Sequence, residues 1–232
     1  MRYRGLSPAT ALTRWGLAAV ALGITLGATA PTAMSGLAGL LTTQSSTIPW
    51  IASRLLGFVA YLALAGSVVY GLLLSTKLLD AVAHRPVTFT LHQDLASIGL
   101  GLAAVHGALL GLDHSVPESI GQLLVPFTTA YRPLWVGLGQ LAFWLCVTVV
   151  ASFYVRRRIG QRAWRTLHYA TFLAFVGATA HGIGSGTDSA GRAWWLYVVA
   201  GTAVAFLLTY RIVLSAASRA AGRREATATA DR

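Results

Sequence analysis

Six apolar runs, each long enough to cross a bilayer as a helix, restrict what this chain of 232 residues can fold into. They fall near residues 15–33, 50–74, 91–112, 133–155, 164–184 and 193–213, with polar or Gly/Pro-rich connections such as "TTQSSTIP" and "DHSVPESIGQ" between them. A hydrocarbon layer takes up roughly 20 residues of helix, and a helix satisfies its own backbone hydrogen bonds where no water can. Composition agrees: 11% of the residues are charged, about half the share usual in a soluble domain, and the mean hydropathy is +0.62. The expected fold is therefore an all-α integral membrane protein, a bundle of six transmembrane helices over 15–213. A cytoplasmic N-terminal tail, 1–14, would precede it, and a basic, disordered cytoplasmic tail, 214–232, would follow. The first run also has the layout of a signal peptide, with a basic start and an A-T-A end. Pro31 directly after that end disfavours cleavage, and the run is read as an uncleaved span.

The net charge of +11 does not point to nucleic acid, because the basic residues stand at the ends of the apolar runs rather than on one face. Fifteen of the eighteen lie in the N-terminal tail, the second-to-third connection, the fourth-to-fifth connection and the C-terminal tail. The positive-inside rule assigns those segments, and hence both termini, to the cytoplasm. Arg54, Arg132 and Arg192 fall toward the other side. Basic residues of the C-terminal tail suit anionic lipid headgroups. The cluster Arg156–Arg165 serves as a topology signal and equally as a docking surface for an acidic protein.

Four of the six histidines lie in the third and fifth runs: His92, His106, His168 and His181. Imidazole inside a membrane points to function by default; the alternative is a hydrogen bond that holds helices together. The third and fifth spans are parallel, both running from the cytoplasm outward. His92 and His168 open them. His106 and His181 follow 14 and 13 residues later, about 21 and 19.5 Å along a helix. The histidines thus form two pairs at matched depths, and a pair of neutral imidazoles is the axial ligand set of a six-coordinate haem. Zinc fits less well, since neither level offers a cysteine or carboxylate to complete a tetrahedron.

The unequal spacing raises a difficulty. A 14-residue step returns to within about 40° of the same helix face, whereas 13 residues end about 140° away. The fifth span therefore needs a local irregularity, a tilt, or different approach directions for its two ligands, and Gly177 offers a place for a bend. Gly99, Gly101, Ala103 and Ala104 in the third span, with Gly177, Ala178 and Ala180 in the fifth, leave room for a flat macrocycle; small-residue helix packing explains them equally. The spacing from Gly99 mimics a dinucleotide fingerprint, but no strand precedes it. Asp94, just inside the third span, is expected to pair with an arginine or hydrogen-bond an inner-haem ligand. His84 and His114 read as solvated loop residues. Trp164, Trp194, Trp195, Tyr131 and Tyr154 fall where aromatic belts form. The single cysteine, Cys146, reads as a small apolar side chain.

Over about residues 48–213 the chain resembles the ferric reductase-like transmembrane domain family, which includes the membrane parts of NADPH oxidases, ferric reductases and the haem subunit of bacterial methionine sulfoxide reductase. The resemblance rests on "RLLGFVAYLAL", "LHQDLASIGLGLAAVHG" and "RRRIGQRAWRTLHYATFLAFVGATAHGIGSGTD". It implies two haems b, the inner held by His92 and His168 and the outer by His106 and His181. It implies electron flow from a cytoplasmic flavin to an acceptor outside. Arg54 matches the family's R-x-x-G position, where it would neutralise an outer-haem propionate; the alternative is an arginine reaching for the interface. Larger relatives carry an FAD- and NADPH-binding domain after the last span. Here about 20 residues follow it, so FAD or FMN is expected in a separate cytoplasmic flavoprotein reductase. The expected acceptor is a ferric chelate or a partner reductase at the outer face, and the expected location is a bacterial inner or plasma membrane. Two rival functions remain: a quinol-linked bis-histidine cytochrome, and a haem-free channel using the histidines as a proton relay, although Asp94 is the only intramembrane carboxylate to serve it.

Overall fold

The structure is a computed structural model that describes residues 47–78, 80, 84–111, 119–186 and 194–230. The first apolar run, 15–33, lies outside the described residues, as do Asp113, His114, Glu118, Asp188 and Arg192. Every element among the described residues is helical: α1 (Thr47–Thr76), α2 (Arg85–Leu110), α3 (Ile120–Leu124), α4 (Pro133–Ile159), α5 (Gln161–His168), α6 (Ala170–Ser185) and α7 (Trp194–Ala230). Four helices are long and apolar enough to cross a membrane: Pro49–Thr76, Arg85–Leu110, Pro133–Ile159 and Trp194–Arg223.

Side-chain contacts fix the directions. Ser53 meets His106 while Ser67 meets His92, so α1 and α2 are antiparallel. Gly139 faces His181 and Ala142 faces Gly177, so α4 and α6 are antiparallel too. His92 with His168, and His106 with His181, make α2 parallel to α6. Tyr61 links α1 to α6 through Thr179, whose hydroxyl donates to the Phe175 carbonyl and therefore accepts from Tyr61 at 3.1 Å. The Tyr61 ring also packs on Tyr197 of α7, with centroids 4.9 Å apart. Further along α1, Leu72 is buried with Val204 and Leu207 of α7, and Phe172 and Phe175 pack against them.

The fifth run departs from a single helix. It is two helices, α5 and α6, broken at Tyr169 immediately after His168. Tyr169 N–H bonds back three residues to Thr166, and Phe172 N–H bonds three back to Tyr169; such bonds tighten the chain into a 3₁₀ turn. The Thr171 hydroxyl caps the His168 carbonyl at 2.8 Å. The irregularity that the 13-residue spacing demands is therefore here and not at Gly177. Gly177 instead lets α4 approach closely, since a Cβ there would lie 3.2 Å from the Leu138 carbonyl oxygen. Between α4 and α5 the chain turns at Gly160, whose φ of 85° suits only glycine.

Two other expectations are corrected. The segment after 214 is not a disordered tail: α7 continues as helix through Ala230, because a run rich in Ala and Arg favours helix even without packing. At about 1.5 Å per residue α7 outruns a hydrocarbon core of about 30 Å, so its end extends past it. Asp94 is exposed and has no hydrogen bond or ion pair among the described residues, in place of the expected partner.

Replacing Gly177 by Leu should push α4 from α6 against unyielding backbone and cost about 1–3 kcal/mol. Gly201→Ala, with nothing within 4 Å of the added carbon, should be neutral or slightly stabilising. Thermal melting of both variants in detergent checks the contrast.

Candidate functional site

The four histidines of the third and fifth apolar runs stand in two edge-on pairs. The ring centroids of His92 and His168 are 6.0 Å apart with planes at 70°. Those of His106 and His181 are also 6.0 Å apart, at 75°. Two metal–imidazole bonds of about 2.0–2.1 Å, plus about 1.1 Å from each nitrogen to its ring centre, would span about 6.3 Å. Each pair is thus spaced for one metal atom between its rings.

Three of the imidazoles are held in the same way. His92 Nδ1–H donates to the Ser67 carbonyl at 2.8 Å, His106 Nδ1–H to the Ser53 carbonyl at 2.7 Å, and His181 Nδ1–H to the Trp135 carbonyl at 3.0 Å. A carbonyl only accepts, so Nδ1 carries the proton and Nε2 keeps its lone pair. In every case the residue four positions after the acceptor is glycine: Gly71, Gly57 and Gly139. In a helix the carbonyl of residue i points toward residue i+4, so an imidazole reaches it by passing over that residue. A Cβ at Gly139 would lie 2.6 Å from the His181 ring, at Gly57 2.9 Å from His106, and at Gly71 3.2 Å from His92. Glycine opens the way to the carbonyl.

On α1 the arrangement is duplicated. Ser53 and Gly57 recur as Ser67 and Gly71, 14 residues on, the same interval that separates His92 from His106. Each serine hydroxyl donates to the backbone carbonyl of the histidine it faces, at 2.9 Å in both places. Each also lies 3.0 Å from that histidine's Nδ1. Sequence reasoning singled out neither serine and, of these glycines, touched only Gly57 through the R-x-x-G motif; the 14-residue interval of the two Ser-x-x-x-Gly sets, shared with the histidines of α2, is the signal that could have marked those on α1.

His168 is the exception. Its Nδ1 is buried without a partner among the described residues, as is the Trp164 indole N–H. Trp164 lies against it with ring centroids 5.2 Å apart, so this tryptophan packs on a histidine. Fourteen residues along α4 from Gly139 comes Phe153, whose ring meets Trp164, so α4 has no glycine there to open a carbonyl to His168.

Arg54 follows Ser53 at the level of His106, with its guanidinium 4.2 Å from the Trp50 ring centre. On the same side Arg132 donates to the Gly184 carbonyl and Tyr131 to that of Ser185, tying the start of α4 to the end of α6 beside His181. At the other level, Arg211 donates to the Tyr169 hydroxyl at 3.2 Å. His84 is exposed at the start of α2. Among the described residues no three of His, Cys, Asp and Glu gather as a metal-binding group, so each level offers two imidazoles and no more. Comparison with family models, curated proteins and solved structures found no match to this chain.

The hydrogen bonds predict imidazole tautomers. With ¹⁵N-labelled histidine, His92, His106 and His181 should each show a protonated Nδ1 and an unprotonated Nε2 at neutral pH, whereas His168 should differ. Single histidine replacements would assign the signals.

Proposed function

We propose that this chain is a six-span membrane cytochrome of the ferric reductase-like kind, with two haems b stacked between α2 and the α5–α6 pair. The observation that supports this most is the repeated imidazole pair: two levels, equal spacing, near-perpendicular planes and, in three of the four rings, an Nε2 lone pair left available. Two protein ligands suffice for a haem, because the macrocycle supplies the other four; they are too few for a structural zinc. α2 also leaves its surface open to such groups. Only 6% of its most apolar stretch is buried in protein, against 33% for α1.

When bound, each haem would take up and release one electron at a time. His92 and His168 would hold the inner group, His106 and His181 the outer, and backbone carbonyls would keep three of these rings in the coordinating tautomer. Arg54 is the cation assigned to an outer propionate. With the first run as an additional span and α5–α6 as the fifth, both termini are cytoplasmic by the positive-inside rule. The inner level then adjoins the basic end of α4, Arg156 to Arg158, and α5, with Arg162 and Arg165. That surface suits an acidic flavoprotein as electron donor. A ferric chelate or a partner reductase would receive the electrons outside.

A pyridine haemochrome assay on the purified chain should give two haems b. Their oxidised low-spin EPR signals should be highly anisotropic, because perpendicular ligand planes leave the iron's two π-type d orbitals nearly degenerate. His92→Ala and His168→Ala should remove the inner haem. Gly139→Ala, which drives a carbon into the His181 ring, should leave about one haem per chain, and Gly71→Ala, with a looser contact, should retain both. A chain that binds no haem would sink the proposal and bring forward the histidine proton relay.

A further inference from the structure

We propose that Ser53 and Ser67 are positioning residues, each tuning one haem ligand at one level of the membrane. The inference rests on the cytochrome reading and concerns how α1 governs the two α2 imidazoles. Both serines are almost wholly buried, at 0% and 5% exposure, in a helix with apolar neighbours. Their hydroxyls face another helix rather than only their own turn. Each donates its proton across to the histidine's carbonyl at 2.9 Å. That leaves its oxygen lone pairs 3.0 Å from the same histidine's Nδ1. The Nδ1 proton is therefore shared between two acceptors of one residue, the serine carbonyl at 2.7 or 2.8 Å and the serine oxygen.

A reciprocal pair of this kind does two things. It fixes the axial register of α2 against α1, because the serine and histidine must exchange both bonds at once. It also adds electron density to the ring, because an imidazole that donates more strongly from Nδ1 is a more basic ligand at Nε2. A more basic axial ligand stabilises ferric over ferrous iron. Ser67 acts on His92 alone and Ser53 on His106 alone, about 21 Å away along the helix. No other side chain joins the two levels through these bonds. Packing alone would not demand a hydroxyl at both positions; alanine would fill the same space.

The test is a redox titration of the full-length chain in lipid nanodiscs, with haem content and EPR recorded on each sample. Ser67→Ala should raise the midpoint potential of the haem that His92→Ala removes and leave the other unmoved. Ser53→Ala should do the reverse, and both variants should still hold two haems. Ser→Cys at each position, close in size but a weaker hydrogen-bonding group, should shift the same haem in the same direction by less; it also serves as the readout where an alanine variant fails to assemble. Two haems whose potentials stay put in every serine variant, or move together, would overturn this inference while leaving the cytochrome intact. A wild-type chain without haem would overturn both.

Discussion

A hydrogen bond from an imidazole Nδ1–H to a helix carbonyl, made over a glycine one turn further on, organises the centre of this protein. The carbonyl is already engaged in its own helix, so the ring must approach beside the existing bond, where any Cβ would stand in its way. That single steric requirement accounts for Gly57, Gly71 and Gly139. It also sets the tautomer, since the acceptor has no proton to give. The same bond locks pairs of helices together: α1 to α2 twice, and α4 to α6 once. The one interaction both orients the ring and joins two helices, so the site and the helix packing have one cause.

The two levels are built alike but not equally. At the level of His106 and His181 both rings rest on carbonyls. At the level of His92 and His168 only the former does, and His168 is lodged against Trp164 beside the break at Tyr169. The i→i+3 bonds at the break change the turn per residue between α5 and α6, so the two histidines of the fifth run need not keep the phase of one regular helix. An uninterrupted helix would have turned them about 140° apart. Helix geometry was enough to show that something had to give; it did not show where. Glycine was the obvious candidate, but Gly177 is spent on close contact with α4 and a 3₁₀ turn after His168 provides the irregularity.

Much of the architecture was legible because hydropathy is a local property. The runs at 50–74 and 133–155 lie within α1 and α4, that at 91–112 passes the end of α2 by two residues, and that at 193–213 lies within α7 but for one residue. The equal depth of the histidine pairs followed from counting residues along parallel helices, and the structure places those same rings side by side. The end of α7 was misread because a basic, polar composition was taken to mean disorder, although alanine and arginine both favour helix. Asp94 was expected to have a partner because it lies inside an apolar run; it is exposed, and no hydrogen bond or ion pair engages it among the described residues. Ser53 and Ser67 escaped notice because serine and glycine are ordinary in membrane helices; only their shared interval with the histidines distinguishes them.

The sequence by itself determined where the apolar helices run, which ends carry the positive charge, and that four imidazoles fall at two depths. These depend on composition and on the rise of one helix, both of which a chain carries without its neighbours. The tertiary structure alone decided which carbonyl each ring binds, which glycine admits it, that His168 has no such partner, and that the fifth run breaks at Tyr169. Those depend on the register and closeness of two helices, and a hydrogen bond between helices exists only when both are right.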